Sequence, residues 1–225
     1  MISVVIPCFN AAKYLGAALE SVLAQTVAVD EIVVVDDGST DDSVGVVAAY
    51  GDRVRLLVQA NQGAAVARNA GVAASRGDLI AFLDADDLWL PQTLSTLSAV
   101  LTPAMDAAVG MVEHFISDDL DDADAARRER PPVRVARMTG ALLLRRPLFD
   151  TVGEFDATLR MGEMMDWFAR FDAAGHTIAE CHTVVMRRRI HAANTVYQRD
   201  RTQASYLAAL RQNIARRRTS GPTSA

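Results

Sequence analysis

The sequence of 225 residues is poor in cysteine and lysine and contains no long apolar run. Its two cysteines, Cys8 and Cys181, lie far apart and outside any CxxC or Cys/His cluster, which argues against a disulfide framework and a structural zinc site. No stretch approaches the ~20 apolar residues that a transmembrane helix needs, and no signal-peptide pattern begins the chain. We therefore expect a cytoplasmic protein without a transmembrane segment.

Charge and glycine patterns argue against further classes of protein. The net charge is −5, with 23% charged and 50% hydrophobic residues, which is typical of a globular chain and provides no general basic surface for nucleic acid. A P-loop and a GxGxxG fingerprint are both missing, which argues against an ATPase and a dehydrogenase. The only lysine is Lys13, and no glycine-rich loop with an activating basic pair follows the first apolar run, which argues against a nucleotidyltransferase.

The first half of the chain alternates between strand and helix patterns. Runs rich in valine, isoleucine and leucine predict strands over residues 2–7, 31–35, 54–58 and 79–83. Apolar residues at the helical period, with proline opening the last segment, predict helices over residues 11–25, 43–50, 64–75 and 91–101. This alternation predicts an α/β fold whose mainly parallel sheet is covered by helices on both faces. Ligands of such sheets bind at the carboxyl ends of the strands.

The second half is less regular. We predict strands over residues 109–115, 141–144 and 184–190 and helices over residues 164–174 and 206–214. Residues 117–137 carry an acidic run, a basic run and two prolines, which indicates a charged surface loop or a poorly ordered insertion. Residues 216–225 are predicted to form a flexible tail, whose arginines at 216–218 are either solvated or in peripheral contact with anionic lipid at the inner membrane face.

The strongest chemical signal is the sequence Asp84-Ala85-Asp86-Asp87 directly after a predicted buried strand. Two carboxylates spaced by one residue at a strand end can reach a common point, and their oxygens suit Mg²⁺ or Mn²⁺. A diphosphate would supply the remaining ligands of such a metal. The alternative is a turn and helix-cap cluster, because aspartate favours both positions.

Four segments together carry a family resemblance. They are residues 3–10 (SVVIPCFN), 31–41 (EIVVVDDGSTD), 61–63 with 67–71 (NQG and ARNAG), and 77–87 (GDLIAFLDADD). In this order, and nearly continuously over residues 2–91, they resemble family 2 glycosyltransferases of the GT-A fold. The resemblance implies a single GT-A domain over residues 1–215, with a nucleotide-sugar-binding half over 1–101 and an acceptor-binding half over 102–215.

The resemblance assigns the donor sugar-nucleotide to Pro7, Phe9, Asp37, Arg68, Asp84 and Ala85. In that assignment Pro7 and Phe9 line the base pocket, and the carboxylate of Asp37 accepts the N–H of a uracil ring. Arg68 helps to hold the nucleotide, and Asp84 lies near the ribose. Asp86 is implied to be the direct metal ligand. The structural alternatives are a turn residue for Asp37 and a surface helix arginine for Arg68.

A late element, Arg189-Ile190-His191, resembles the family's arginine-x-histidine motif. By that resemblance His191 binds the metal, as neutral imidazole commonly does, and Arg189 binds the diphosphate, which guanidinium pairs with bidentately. An ordinary loop histidine is the alternative for His191. The preceding Arg187 and Arg188 are more simply interpreted as a solvated basic run.

The acceptor side departs from the family pattern. The family has a Glu-Asp pair that opens a helix, with the aspartate as general base, but here Met164 follows Glu163. Methionine cannot accept a proton, so Glu163 and Asp166, on one face of the predicted helix, are the remaining candidates. We favour Asp166 slightly, because a carboxylate near a helix start is stabilised as the anion. Trp167 either stacks on a sugar face or belongs to the core.

The resemblance therefore implies that the enzyme transfers a sugar from a nucleotide diphosphate sugar to an acceptor hydroxyl, with inversion and with Mn²⁺ or Mg²⁺ as cofactor. UDP-sugar is the family's usual donor, and a glycan, a lipid-linked sugar and a peptide all remain open as acceptors. The alternatives are a nucleotidyltransferase and a non-catalytic sugar-nucleotide-binding protein or subunit, the latter kept open by Met164.

Overall fold

The computed structural model describes residues 1–120, 122–128 and 130–192. The helix predicted over residues 206–214 and the tail predicted over 216–225 lie outside the described residues. Within them the strands are β1 (Ile2–Cys8), β2 (Glu31–Asp36), β3 (Arg55–Val58), β4 (Leu79–Phe82), β5 (Leu88–Trp89), β6 (Ala107–Ile116), β7 (Arg134–Val135), β8 (Leu142–Arg145) and β9 (Ile178–Ile190). The α-helices are α1 (Ala12–Leu23), α2 (Ser43–Ala48), α3 (Ala64–Ala74), α4 (Thr93–Val100), α5 (Asp122–Ala126), α6 (Leu148–Thr151) and α7 (Glu163–Ala173).

All nine strands belong to one sheet, in the order β3-β2-β1-β4-β8-β6-β9-β5, with β7 paired to β6. The β3-β2-β1-β4 half is parallel throughout, because each pair of consecutive strands is connected by a helical crossover. The second half is mixed: β8 lies antiparallel between β4 and β6, whereas β6 and β9 are parallel. The predicted α/β class is therefore confirmed, and the sheet has antiparallel pairs in its second half.

The helices cover both faces of the sheet and bury two apolar layers. One layer packs α1 and α4 against alternate residues of β1, such as Val4 and Ile6. The other packs Val5, which points to the opposite face, with the aromatic side chains of α6 and α7. This alternation is what the period of two along a strand requires. β1, which is buried at every residue except Pro7, therefore contributes to both layers.

The charged segment over residues 117–137 differs from the predicted loop. Within its described part it contains the short helix α5 and the strand β7, which pairs with β6 through Val112 and Arg134. A strand of two residues is too short to show a periodic sequence pattern. The two-residue strand β5 and the four-residue helix α6 went unpredicted for the same reason.

Candidate active site

The predicted polar clusters meet at one edge of the sheet. β1, β2 and β4 are parallel neighbours, so the residues that follow them emerge on the same side. Phe9 is half exposed after β1, whereas Pro7 is partly buried within that strand. Asn10 has a positive φ of 49° and accepts a hydrogen bond from the backbone N–H of Thr40, which joins the loops after β1 and β2.

Asp37 holds a loop at the end of β2. Its carboxylate is buried and accepts hydrogen bonds from the side chain of Gln59 (2.7 Å) and from the backbone N–H groups of Gln62 (2.9 Å) and Gly63 (2.8 Å). These contacts hold the segment after β3 against the carboxyl edge of the sheet, where the base pocket is expected. Neighbouring Asp36 has one buried oxygen, Oδ1, without a hydrogen-bond partner among the described residues.

Arg68 joins the two halves of the chain. It is 5% exposed, and its guanidinium donates to Asp84 (2.8 Å) and to Glu163 (2.7 Å). Burial alone would lower the pKa of Arg68, but the two carboxylates raise it above its ordinary value. Thr139 lies beside this group, with its hydroxyl 3.5 Å from Asp84. The surface-arginine interpretation of Arg68 is therefore wrong, and α3, β4 and α7 meet at this ion-paired cluster.

Asp86, Arg189 and His191 form a second group a few residues away. Asp86 Oδ2 lies 2.9 Å from His191 Nε2, and the Asp86 carbonyl accepts the Nε–H of Arg189 at 2.9 Å. The Arg189 guanidinium and the His191 ring both pack against Tyr14 of α1, with the ring centroids of Tyr14 and His191 4.6 Å apart. The late motif is thus in direct contact with the aspartates after β4, over 100 residues earlier in the chain.

Asp87 is the most buried of the three carboxylates that follow β4. It is buried, and burial together with the charges of Asp86 and Asp84 raises its pKa well above the ordinary value. The backbone N–H of Arg189 donates to it at 2.8 Å and, with the charge of Arg188, acts in the opposite direction. Asp87 therefore links the end of β4 to β9.

Two site-bordering residues, Tyr14 and Asp119, were not predicted. The Tyr14 hydroxyl donates to Asp119 at 2.6 Å, and the Lys13 ammonium lies 2.5 Å from the same carboxylate oxygen. Burial and the hydrogen bond to Asp119 raise the pKa of Tyr14 to about 12. Asp119 lies in a run of acidic residues, so no sequence signal distinguishes it from its neighbours.

The structure corrects two predictions on α7. Asp166 is buried and its carboxylate contacts Arg170 Nε at 3.0 Å, so it stabilises the helix and has no surface to offer an acceptor. Trp167 is fully buried in an aromatic cluster with Phe155 and Phe171, and its indole N–H donates to the Gly153 carbonyl. Stacking of Trp167 on a sugar is therefore wrong, and the core interpretation is correct.

Asp86 and His191 suit a divalent metal as a partial ligand set. A carboxylate that is 30% exposed and an imidazole nitrogen converge within 2.9 Å, and such a mixed oxygen and nitrogen pair fits Mn²⁺ or Mg²⁺ when phosphate oxygens complete the sphere. In the part of the chain that the structure describes, no group of three or more histidine, cysteine, aspartate or glutamate side chains forms a complete metal site. Buried Ala85 separates Asp84 from Asp86, and its methyl side chain offers no ligand atom.

Comparison with known proteins identifies the family. The model of "Glycosyl transferase family 2" matches residues 3–161. The chain belongs to this family. The succinoglycan biosynthesis protein ExoU of Rhizobium meliloti is 34% identical over 207 residues, which cover 77% of the chain and 57% of ExoU. An uncharacterized glycosyltransferase of Nostoc is 45% identical over 127 residues, 55% of the chain and 38% of that protein.

Solved structures show that this family 2 glycosyltransferase has the GT-A fold. S. aureus TarS in complex with UDP-GlcNAc superposes with a TM-score of 0.75 at 19% identity, covering 95% of the chain and 65% of TarS. The chain thus spans only part of the relatives and of the structure it matches. None of its described helices is both long enough and apolar enough to cross a membrane.

Proposed function

We propose that this family 2 glycosyltransferase transfers a sugar from a UDP-sugar to an acceptor hydroxyl with inversion, assisted by Mn²⁺ or Mg²⁺. The observation that carries the proposal is the contact of Asp86 with both His191 and Arg189 at the carboxyl edge of the sheet. One carboxylate, one imidazole and one guanidinium at a single point suit a cation and a diphosphate together. TarS, which shares the fold, has been solved with UDP and with UDP-GlcNAc, and this supports a uridine nucleotide.

Three side chains of the site, those of Asp86, His191 and Arg189, would assist the departure of the diphosphate. A divalent metal held by Asp86 and His191 would act as a Lewis acid toward the phosphate oxygens. Arg189, held in place by the Asp86 carbonyl and by the ring of Tyr14, donates hydrogen bonds to the diphosphate as negative charge grows there. The exposed ring of Phe9 and the loop anchored by Asp37 border the base.

We assign the role of general base, which takes the proton of the acceptor hydroxyl, to Glu163. The Glu163 carboxylate contacts Arg68, which also contacts Asp84, so Glu163 lies close to the carboxyl edge of the sheet where we place the sugar donor. Asp166, in contrast, is fully buried. Glu163 is the first residue of α7, and its side chain is partly exposed. In the reaction Glu163 takes the proton of the attacking hydroxyl, and the new bond to the anomeric carbon forms as the bond to the diphosphate breaks.

One observation favours a second candidate, a sugar-nucleotide-binding protein without turnover. Met164 is partly buried against the core, and the single carboxylate left at this position, Glu163, is engaged by Arg68. The oxygen that accepts the hydrogen bond of Arg68 has fewer lone pairs left for an acceptor hydroxyl. In this alternative the donor site would bind UDP-sugar while no acceptor hydroxyl is activated.

The decisive experiment measures UDP binding and UDP release separately. We expect wild-type protein with Mn²⁺ to bind UDP and to hydrolyse a UDP-sugar slowly, and Asp86→Asn to lose metal-dependent binding and turnover. Asp52→Asn, at an exposed aspartate in the turn that precedes β3 and therefore at the opposite edge of the sheet, is the matched control and should behave as wild type. Glu163→Gln keeps an acceptor for Arg68, so it should retain UDP binding while turnover falls about 10²–10⁴-fold. UDP binding by wild type without turnover of any donor would favour the binding protein.

A further inference from the structure

Three cationic or titratable side chains share one face of the β7-β6-β9 part of the sheet. Arg134 of β7 pairs with Val112 of β6, and His114 follows two residues later on the same face. Arg188 of β9 pairs directly with His114. We call Arg134, His114 and Arg188 the cationic face. Directly paired and diagonal residues on one face of a sheet interact, so these three side chains are near neighbours.

Among the described residues, no carboxylate forms an ion pair with the arginines of the cationic face, in contrast to the opposite face of the same strands. On the opposite face, Arg187 pairs with Glu113 at 3.0 Å and packs over the ring of Phe115. Arg134 and Arg188 form no ion pair within the described ranges of the chain. The Nδ1 atom of His114 is buried and has no hydrogen-bond partner among the described residues. Buried polar atoms normally have a hydrogen-bond partner, so the cationic face has polar groups whose partners a bound ligand could supply.

The position of the face connects it to the transfer site. Asp87 immediately precedes β5, which pairs with β9 at Leu88 and Arg187, and its carboxylate accepts the backbone N–H of Arg189 at 2.8 Å. Arg188 therefore lies next to the carboxylates that follow β4, while Arg134, exposed on β7, lies further out. A ligand along this face would have one end at the transfer site and the other at the protein surface.

We propose that the cationic face binds an anionic group, a phosphate or a carboxylate, carried by the acceptor. The inference rests on the proposed function and names the chemical class of the acceptor. Two guanidinium groups, on the strands that flank His114, can each donate paired hydrogen bonds to such an anion. Burial and the charges of Arg188 and Arg134 lower the pKa of His114, so the imidazole is neutral at pH 7 and can be either donor or acceptor.

The test compares neutral and charged sugars in the presence of saturating UDP and Mn²⁺, so that the diphosphate site is occupied. Glucose, glucose 6-phosphate and glucuronate are titrated by NMR into wild-type protein. We expect each charged sugar to bind about tenfold or more tightly than glucose, as charged hydrogen bonds would produce. The phosphate and carboxylate arms then show which anion is preferred.

Variants on the two faces of one strand provide the control. Arg188→Gln and Arg134→Gln should each remove most of the preference for charged sugars, while Arg187→Gln, on the opposite face, should retain it. UDP affinity, measured on each variant, should stay within about twofold of wild type; unchanged affinity would also show that the variants fold. If wild type binds UDP but shows no preference for charged sugars, the inference is wrong and the proposed function stands.

Two other outcomes would overturn the inference. A loss of UDP affinity in Arg188→Gln as large as its loss of charged-sugar affinity would place the cationic face in the donor site. A failure of wild type to bind UDP at all would refute the proposed function and, with it, the assignment of this face to an acceptor.

Discussion

Arg68 provides a sharp test of how the two halves of the chain are joined. Arg68→Met replaces the guanidinium with an apolar side chain of similar length and leaves Asp84 and Glu163 facing each other without a cation. Removing one partner of a buried ion pair costs about 3–5 kcal/mol of stability, because the remaining charge is left uncompensated. Arg68 is 5% exposed and the side chain of Glu163 is 14% exposed, but that of Asp84 is 31% exposed and can be hydrated. We therefore expect about 3 kcal/mol, at the lower end of the range.

The assay is reversible urea unfolding followed by tryptophan fluorescence, supported by thermal melts. For a chain of this size ~1 kcal/mol shifts the midpoint by roughly 2–4 °C, so the melting temperature should fall by about 6–12 °C. Arg76→Met is the matched control, since Arg76 is 77% exposed and its contact with Glu31 is 3.9 Å long. Such a surface pair contributes about 0–1 kcal/mol, so the control should change stability little.

A second variant identifies the cause of the loss. Arg68→Met combined with Glu163→Met removes both the cation and the more buried of its two carboxylates, and replacing a whole buried pair by apolar side chains is often close to neutral. The double variant should therefore be more stable than Arg68→Met alone. A loss below about 1 kcal/mol in Arg68→Met, or no recovery in the double variant, would refute the role of this ion-paired cluster in joining α3 to α7.

Two further predictions concern the border of the site and the core. Lys13, Ser117 and Tyr14 lower the pKa of Asp119, so its contribution to stability is present above the ordinary value of 3.8 and is lost as the pH falls through its lower value in the folded protein. The stability difference between wild type and Asp119→Asn, measured by urea unfolding, should thus be constant near neutral pH, at about 1 kcal/mol, and shrink below about pH 4. A difference that grows on acidification would contradict this sign. Gly71→Ala places a Cβ 2.2 Å from Val5 Cγ1 and should cost about 1–3 kcal/mol through overpacking. Gly16→Ala, also within a helix but with its nearest atom 3.8 Å away, should instead stabilise by about 0.5–1 kcal/mol. Equal effects of the two substitutions in the same unfolding assay would refute the argument.

The helices and strands of the first half were predictable because their patterns are strong and local. β1, β2 and α3 lie within a residue or two of the predicted ranges, and the polar residues that follow the strands meet at one edge, as parallel pairing requires. The family resemblance assigned Asp86 and His191 to one metal site, which stays a prediction, and the structure brings the two side chains within 2.9 Å of each other.

Burial was the property that local pattern could not supply. Asp166 and Glu163 both lie in the first turn of α7, yet one is enclosed and the other borders the donor edge. The difference arises from what packs over each residue: Arg170 contacts Asp166, while Arg68, 95 positions earlier in the chain, reaches Glu163. The same holds for Trp167, whose surroundings come from α6 and the segment before α7.

Sequence pattern alone was sufficient for the fold class, the family and the edge of the sheet that carries the site, because these depend on local periodicity and on motifs in a given order. Tertiary packing was needed for the roles of individual side chains. Arg68 as a bridge between Asp84 and Glu163, and the placement of Arg134 and Arg188 on a face shared with His114, are products of strand order and register. The strength of an ionic contact depends on burial and on distant partners, and both arise only when the chain is folded.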